Sequence, residues 1–340
     1  MSPTPPPPVD VALIGCGRIV ETGHLPVYLA DPGIRVVAVC DPSKRRRDVL
    51  ADRLGVPDRR RFVEPTELGA PEVTATVAVV ASPTATHRTA IEAALAAGLH
   101  VVSEKPVTPD SATARELVDH AASLGRRITV LHNYLTTTGW RAVYDTVTSG
   151  ILGTARVFRI RLADPGPLPG FHPTHGDWRT DRALAGGGCL LDQGYHYIYL
   201  SEALLGPISR VAGAKLGNTT GWTVEDRADV VLEHVGGGCT ELSLDWSVSD
   251  REPPLHELTC ERGTVELDED AETVTVRVAD EPTTVVDASF DPDGYRLALP
   301  AAIRAVSDGT GDLWRPGLRV VRILDDCYRA AGWGDPAPIS

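Results

Sequence analysis

Short, nearly continuous apolar runs punctuate the first part of the chain, at residues 9–14, 34–40, 77–81, 99–103 and 128–131. Runs of this kind, with Val, Ile and Ala at successive positions, fit strands buried on both faces better than strands with one wet face. Helical stretches fall between them. One is predicted at 85–97, after Ser82-Pro83-Thr84 and stopped by Gly98. Another is predicted at 110–124, opened by Thr108 and Pro109 as cap and first-turn pair and stopped by Gly125. Strand and helix in alternation predict an α/β domain with a parallel, doubly wound sheet whose ligand edge is the row of strand C-termini.

After about Leu131 the pattern changes. A helix is predicted near 140–149, then a strand at 155–163 in which Val157, Arg159 and Arg161 alternate with Phe158, Ile160 and Leu162. Further short runs at 210–217, 229–234, 240–247, 256–260, 264–267 and 273–278 are separated by turns such as Gly236-Gly237-Gly238 and Arg262-Gly263. Strands in succession with short turns predict an α+β domain built on a large, mostly antiparallel open sheet. Its uncovered face could be buried between subunits, so a homo-oligomer, dimer or tetramer, is expected. Two helices, near 294–307 and 318–331, finish the chain.

At 340 residues and 42% apolar composition, two domains are the natural expectation. The boundaries read as a proline-rich tail at 1–8, a first domain at 9–131 and a second at 132–340. The tail lacks the basic start and apolar centre of a signal peptide, and no apolar run approaches the roughly 20 residues of a membrane span, so a cytoplasmic protein is expected with no membrane partner. The six cysteines (Cys16, Cys40, Cys189, Cys239, Cys260 and Cys327) form no C-x-x-C pair and read as small buried hydrophobes. A formal charge of −13 argues against a nucleic-acid partner, because phosphate binding needs a basic face. Lysine is nearly absent: Lys44, Lys105 and Lys215 stand against 30 arginines, 33 basic residues less 3.

The first strand runs into Gly15-Cys16-Gly17-Arg18-Ile19-Val20, the strand and glycine turn that open a dinucleotide fold. Gly15 permits the tight turn, and Gly17 lets backbone amides approach a pyrophosphate at a helix N-terminus. Val20 takes the place of the third glycine. Asp41, ending the second strand, could accept hydrogen bonds from an adenosine ribose and would repel a 2′-phosphate. That favours NAD, whereas Ser43, Lys44 and Arg45 could cradle the phosphate of NADP instead. Asp41 can equally be a turn or cap residue before Pro42. His87 and Asn133 fall at strand ends facing the cofactor edge, where either could simply satisfy backbone groups. His172-Pro173-Thr174-His175-Gly176-Asp177 has the composition of a metal site but not a fixed spacing, and no metal is expected. Trp178 and Arg179, just after it, could line a substrate cleft.

Lys105 lies in Glu104-Lys105-Pro106, directly after a buried strand at the ligand edge, where an ammonium can hydrogen-bond a substrate hydroxyl and stabilise the alkoxide-like oxygen that develops as hydride leaves carbon. Asp192 and His196 are four apart, so on a helix beginning after Gly186-Gly187-Gly188 they share a face and suit acid–base work.

These motifs, with Ser82-Pro83-Thr84-Ala85-Thr86-His87 and the whole run from Gly186 to His196, stand in the order and spacing of one family. The chain resembles the glucose-fructose oxidoreductase, inositol dehydrogenase and rhizopine-catabolism (Gfo/Idh/MocA) oxidoreductases over about 9–249. The resemblance implies an NAD(P)-dependent dehydrogenase with a Rossmann domain, a small carbohydrate-like substrate and a cis peptide before Pro106. It implies catalytic or substrate roles for Lys105, Asp192 and His196. It also implies a cofactor site formed by Gly15, Gly17, Arg18, Ile19, Asp41, Ser82, Pro83, Thr84, His87, Glu104 and Lys105. Asn133, Trp178, Arg179 and Tyr195 are then candidates for substrate contact. Where family members often carry an acidic residue after the histidine, this chain has Tyr197, Ile198 and Tyr199; these rings and Tyr195 either stack on a sugar or pack in the core. The expected reaction is hydride transfer at a secondary carbinol of a sugar, amino sugar or cyclitol. An NAD-dependent glycoside hydrolase and a non-catalytic dinucleotide or sugar sensor are the alternatives.

Overall fold

The structure is a computed structural model that describes residues 7–167, 177–288, 294–310 and 314–333. The candidate metal ligands His172 and His175 lie outside these residues. The chain divides into two compact units, Met1–Leu131 with Tyr295–Leu318 and His132–Gly294 with Arg319–Ser340.

The first unit alternates strand and helix: β1 (Val9–Ile14), α1 (Leu25–Ala30), β2 (Ile34–Cys40), α2 (Lys44–Leu54), β3 (Arg61–Phe62), β4 (Val77–Val80), α3 (His87–Ala96), β5 (His100–Ser103), α4 (Ser111–Ser123) and β6 (Ile128–Val130). The strands form one parallel sheet in the order β3-β2-β1-β4-β5-β6, so the chain reverses direction across β1 and β4 as a doubly wound sheet requires. Val11, Leu13, Val77, Val79 and Val102 are fully enclosed at its centre, which is why these runs carry no alternation. Strand β3, two residues long, left no such run to read. The cap of α4 differs from the expectation: Asp110, not Thr108, accepts the Thr113 N–H at 2.8 Å.

The second unit contains α5 (Thr138–Thr148), β7 (Ala155–Ala163), α6 (Arg182–Ala185), α7 (Tyr195–Leu205), β8 (Ile208–Gly217), β9 (Arg227–His234), β10 (Cys239–Asp245), β11 (Leu255–Cys260), β12 (Gly263–Asp268), β13 (Thr273–Val278) and β14 (Thr284–Asp287). Its sheet runs β14-β13-β12-β11-β7-β10-β9-β8, antiparallel except where β7 lies parallel to β10. Phe158, Ile160 and Leu162 are buried, whereas Arg159 on the opposite face reaches Glu241 of β10 at 2.9 Å and Glu257 of β11 at 3.1 Å. Helix α5 comes close enough to the buried face that a Cβ on Gly139 would stand 2.8 Å from Leu267. Strand β14 was not expected: Val285 and Val286 are both exposed, so no buried set alternates there.

Two helices follow, α8 (Gly294–Asp308) and α9 (Trp314–Ala330). Here the expected domain boundary needs correcting. Leu299, Ile303 and Val306 of α8 complete the core of the first unit, Arg127 donates to the Val306 and Ser307 carbonyls at 2.8 Å, and Arg304 pairs with Asp31 at 2.5 Å. A boundary placed where the hydrophobic pattern changes cannot detect a chain that later returns. Among the described residues no helix is long and apolar enough to cross a membrane, no group of three or more His, Cys, Asp or Glu side chains is set to hold a metal ion, and all six cysteines are unpaired.

Candidate active site

The glycine turn of the first unit has two different requirements. Gly15 has φ +93°, and a Cβ on it would lie 2.7 Å from the Ala81 carbonyl and the Ser82 amide, so both conformation and space demand glycine. A Cβ on Gly17 would meet nothing within 4 Å. Its missing side chain leaves an open cradle over the turn that fits an approaching pyrophosphate. The chain then enters a π-helical turn, Val20–His24, with no side-chain cap at Ile19, and α1 follows. Val20 is wholly buried in the core, which explains why a third glycine is not needed there.

Asp41 ties this turn to the end of β2. Its Oδ2 accepts the Cys16 N–H at 2.7 Å, its Oδ1 accepts the Ser43 N–H at 2.8 Å, and Arg47 donates to its carbonyl at 2.6 Å. Asp41 is therefore a turn residue, the cap position of α2 falling to Ser43, and each oxygen keeps a second lone pair for a ribose hydroxyl.

At the ends of β4 and β5 the structure reassigns two expected cofactor residues. The His87 ring is 1% exposed, with Nε2 2.8 Å from the Ser82 carbonyl and Nδ1 3.0 Å from that of Pro106 and 3.2 Å from that of Val107. No polar edge remains for a cofactor, so His87 fastens one loop to the other. Glu104 is buried against His24, Nε2 to Oε1 2.8 Å, and does not face outward. Ser82, Pro83 and Thr84 form the turn into α3, with Ser82 Oγ accepting from Thr86 at 2.7 Å. The Lys105–Pro106 peptide is cis, and Lys105 is half-buried.

In the second unit Asp192 lies in a π-helical turn, Leu190–Gly194, and His196 in the first turn of α7, so the two are not on one regular α-helix as the spacing alone suggested. The turn is fixed from beneath. Glu225 is fully buried, and its Oε1 accepts from Gly188 N (2.8 Å), Leu190 N (3.1 Å) and the Tyr328 hydroxyl (2.6 Å). Burial pushes the Glu225 carboxyl up against those three bonds, which pull it down. Gly187 and Gly188 have no space for a side chain, their Cβ positions overlapping the Tyr328 hydroxyl and the Glu225 carbonyl oxygen.

Asp192 is brought together with Arg179, Nε to Oδ2 3.4 Å, whose guanidinium stacks 4.4 Å over the Trp178 ring. Asp177 caps that turn, accepting the Arg179 N–H at 3.0 Å. His196 stacks face to face on Tyr134, centroids 3.9 Å apart and planes within 9°, and its Nδ1 lies 3.3 Å from the Tyr199 hydroxyl, which accepts the Tyr134 N–H at 2.9 Å. Burial pushes the Tyr134 phenol up, with the charges of Glu269, Asp192 and Asp164 adding to it. Tyr195 is fully enclosed and meets His132 Nε2 at 3.0 Å; Tyr197 and Tyr199 are buried too. Asn133 precedes a 3₁₀ turn, Tyr134–Thr136, and its carbonyl accepts the Thr136 N–H at 3.1 Å. His132, Tyr134, Glu225 and Tyr328 were missed, since sheet and loop geometry assembles them with no spacing to recognise.

Behind Tyr134, Glu269 and His256 face each other at 3.8 Å. Burial pushes Glu269 up to about 7, helped by Asp270, Asp164 and Asp268 and opposed by Arg251. Burial pulls His256 down to about 4. As pH falls below about 7, folded Glu269 takes its proton before the unfolded chain does, which adds stability. Below about 6.5 the unfolded histidine protonates first, which removes it, so the two nearly cancel. Glu269→Gln is expected to raise stability at pH 8 by up to about 3 kcal/mol and to leave an uncompensated loss between about pH 6.5 and 4. Urea midpoints across pH check this; parallel curves for wild type and variant would contradict it.

Residues 9–132 match the oxidoreductase family with an NAD-binding Rossmann fold (GFO_IDH_MocA), and 140–266 match the GFO/IDH/MocA C-terminal domain. A dTDP-3,4-didehydro-2,6-dideoxy-alpha-D-glucose 3-reductase of Saccharopolyspora spinosa is 31% identical over 89% of each chain. The D-glucoside 3-dehydrogenase of Escherichia coli (strain K12) is 28% identical over 73% of each. Among solved structures, GenD2 from gentamicin A biosynthesis, in complex with NAD, is 25% identical with a TM-score of 0.80 over 96% of this chain and 94% of that one. The chain belongs to the GFO/IDH/MocA oxidoreductase family and is an NAD(P)-dependent dehydrogenase acting on CH–OH groups.

Proposed function

We propose that the chain interconverts a secondary hydroxyl and a ketone on the ring of a sugar, amino sugar or cyclitol, with carbon 3 of a hexopyranose the favoured position and NAD the favoured cofactor. Support for the position comes from two relatives whose names share it while their substrates differ, one a glucoside and one a nucleotide-linked deoxysugar. Support for NAD comes from the Asp41 carboxylate at the end of β2, whose charge opposes a 2′-phosphate.

The observation that carries the reading is the anchored turn of the second unit, in which Glu225 and the glycine run fix the segment that bears Asp192 and His196. Bound NAD(P) supplies the hydride acceptor or donor. Lys105 hydrogen-bonds the carbinol oxygen and stabilises the negative charge it gains. His196, whose Nδ1 lies 3.3 Å from the Tyr199 hydroxyl, is the group that takes the carbinol proton. The stacked Tyr134 face steadies the imidazolium so formed. Asp192, balanced by Arg179, is set to bind a neighbouring hydroxyl or amine.

Nicotinamide absorbance, with NAD and NADP offered separately against glucosides, amino sugars, inositols and nucleotide-linked ketosugars, tests this. Turnover is expected on compounds with a free 3-hydroxyl or 3-ketone and faster with NAD. Equal rates on 3-deoxy analogues would remove the assignment to carbon 3, and sugar release without net cofactor change would point to a hydrolase instead.

A further inference from the structure

Glu104 shares a tripeptide with Lys105 yet has a different environment. Its carboxylate is 7% exposed; Oε1 lies 2.8 Å from His24 Nε2, Oε2 accepts the Lys105 N–H at 3.2 Å, and the Tyr295 hydroxyl of α8 also bonds it. His24 comes from the π-helical turn after the glycine cradle and is fully enclosed, with Nδ1 buried without a partner. Its ring lies against Tyr295, centroids 5.0 Å apart, and edge-on to Tyr28 at 6.1 Å. Tyr295 closes over the pair only because position 23 is glycine: a Cβ there would be 2.8 Å from the tyrosine ring.

A carboxylate in such surroundings is costly unless it is paired, and a site needing only packing would be served by an uncharged residue. Burial works to raise the Glu104 carboxyl. The His24 hydrogen bond, the charges of His24 and Lys105, and the Tyr295 hydroxyl nonetheless hold it below the usual carboxylate range. The group is therefore ionised. It is fixed to the backbone of Lys105, the next residue in the chain.

We propose that Glu104, held by His24 and Tyr295, is a positioning residue for the hydride-transfer reaction: by anchoring the Lys105 backbone it sets where the Lys105 ammonium meets the carbinol oxygen. The proposal rests on the role of Lys105 given above. Glu104→Gln keeps the shape and one acceptor oxygen, but removes the charge and sets an amide NH2 where the second acceptor stood. It is expected to lower kcat by about 10- to 100-fold while the substrate KM and the dinucleotide Kd stay within about threefold. Tyr295→Phe, which removes one hydroxyl and nothing else, is expected to lower kcat by about 3- to 10-fold in the same way. It keeps the test open if the Gln variant does not fold. Normal turnover in both variants beside a dead Lys105→Ala would overturn the proposal and leave Lys105 intact. Normal turnover in Lys105→Ala would overturn both. A loss confined to dinucleotide binding would make Glu104 part of the cofactor cradle and also overturn it.

Discussion

Lys105→Ala is expected to lower turnover by about 10²- to 10⁴-fold while dinucleotide affinity changes by no more than a few-fold. The split follows from what the side chain does. An ammonium that meets the carbinol oxygen interacts most strongly when that oxygen carries charge, in the transition state, so its removal appears in kcat. On the proposed reading the dinucleotide lies against the glycine turn and the loop ends that His87 fastens, none of which the truncation touches. Arginine is not an adequate substitute. Its planar fork places donors at different positions from a compact ammonium, so Lys105→Arg is expected to stay well below wild type although the charge is kept. The chain holds only Lys44, Lys105 and Lys215; Lys44 is exposed and paired with Asp48, and Lys215 lies exposed on β8. Initial rates by nicotinamide absorbance, with Kd from cofactor titration, decide the matter. Unchanged kcat in the alanine variant would remove Lys105 from the chemistry.

The parallel sheet of the first unit was legible because burial on both faces leaves an unbroken apolar signature in each long strand, and the 155–163 strand because one face is wet. What could not be read depends on distance in sequence. The return of α8 to the first core is encoded in Leu299, Ile303 and Val306, an apolar helix face that would fit either unit equally well. The site divides the same way. Lys105, Asp192 and His196 stand in local motifs, which is why the sequence alone nominates them. Arg179 and Asp192 were both named, but their pairing was not, since thirteen positions separate them with a turn between. Tyr195 and His87 stand in such motifs too, yet their side chains are buried in the protein. Position in a motif identifies which residues the site needs, and only burial and bonding distinguish those that touch ligand from those that hold the others in place.

The glycines make that distinction measurable, because alanine at two of them should fail in opposite ways. At position 188 a Cβ would overlap the carbonyl oxygen of Glu225, a backbone atom that no side-chain rotation can move aside. The turn must separate from Glu225, which breaks the bonds from Gly188 N and Leu190 N to Oε1 and from Cys189 N to the Glu225 carbonyl at 3.1 Å. A fully buried carboxylate is then left short of donors and the start of α7 is displaced. Overpacking together with lost buried hydrogen bonds puts the cost at about 3–5 kcal/mol. Any Gly188→Ala protein that folds should have lost turnover through His196 while binding dinucleotide normally. Gly17→Ala meets nothing within 4 Å of its own chain, so its denaturation midpoint should match wild type while dinucleotide Kd rises by at least about tenfold, the methyl occupying the pyrophosphate's approach. Denaturant midpoints and cofactor titrations on the two variants separate the cases: stability falls in the first and affinity in the second. A stable Gly188→Ala would mean that the Glu225 anchor does not set the position of His196, and tight dinucleotide binding by Gly17→Ala would mean that the open cradle is not where the pyrophosphate lies.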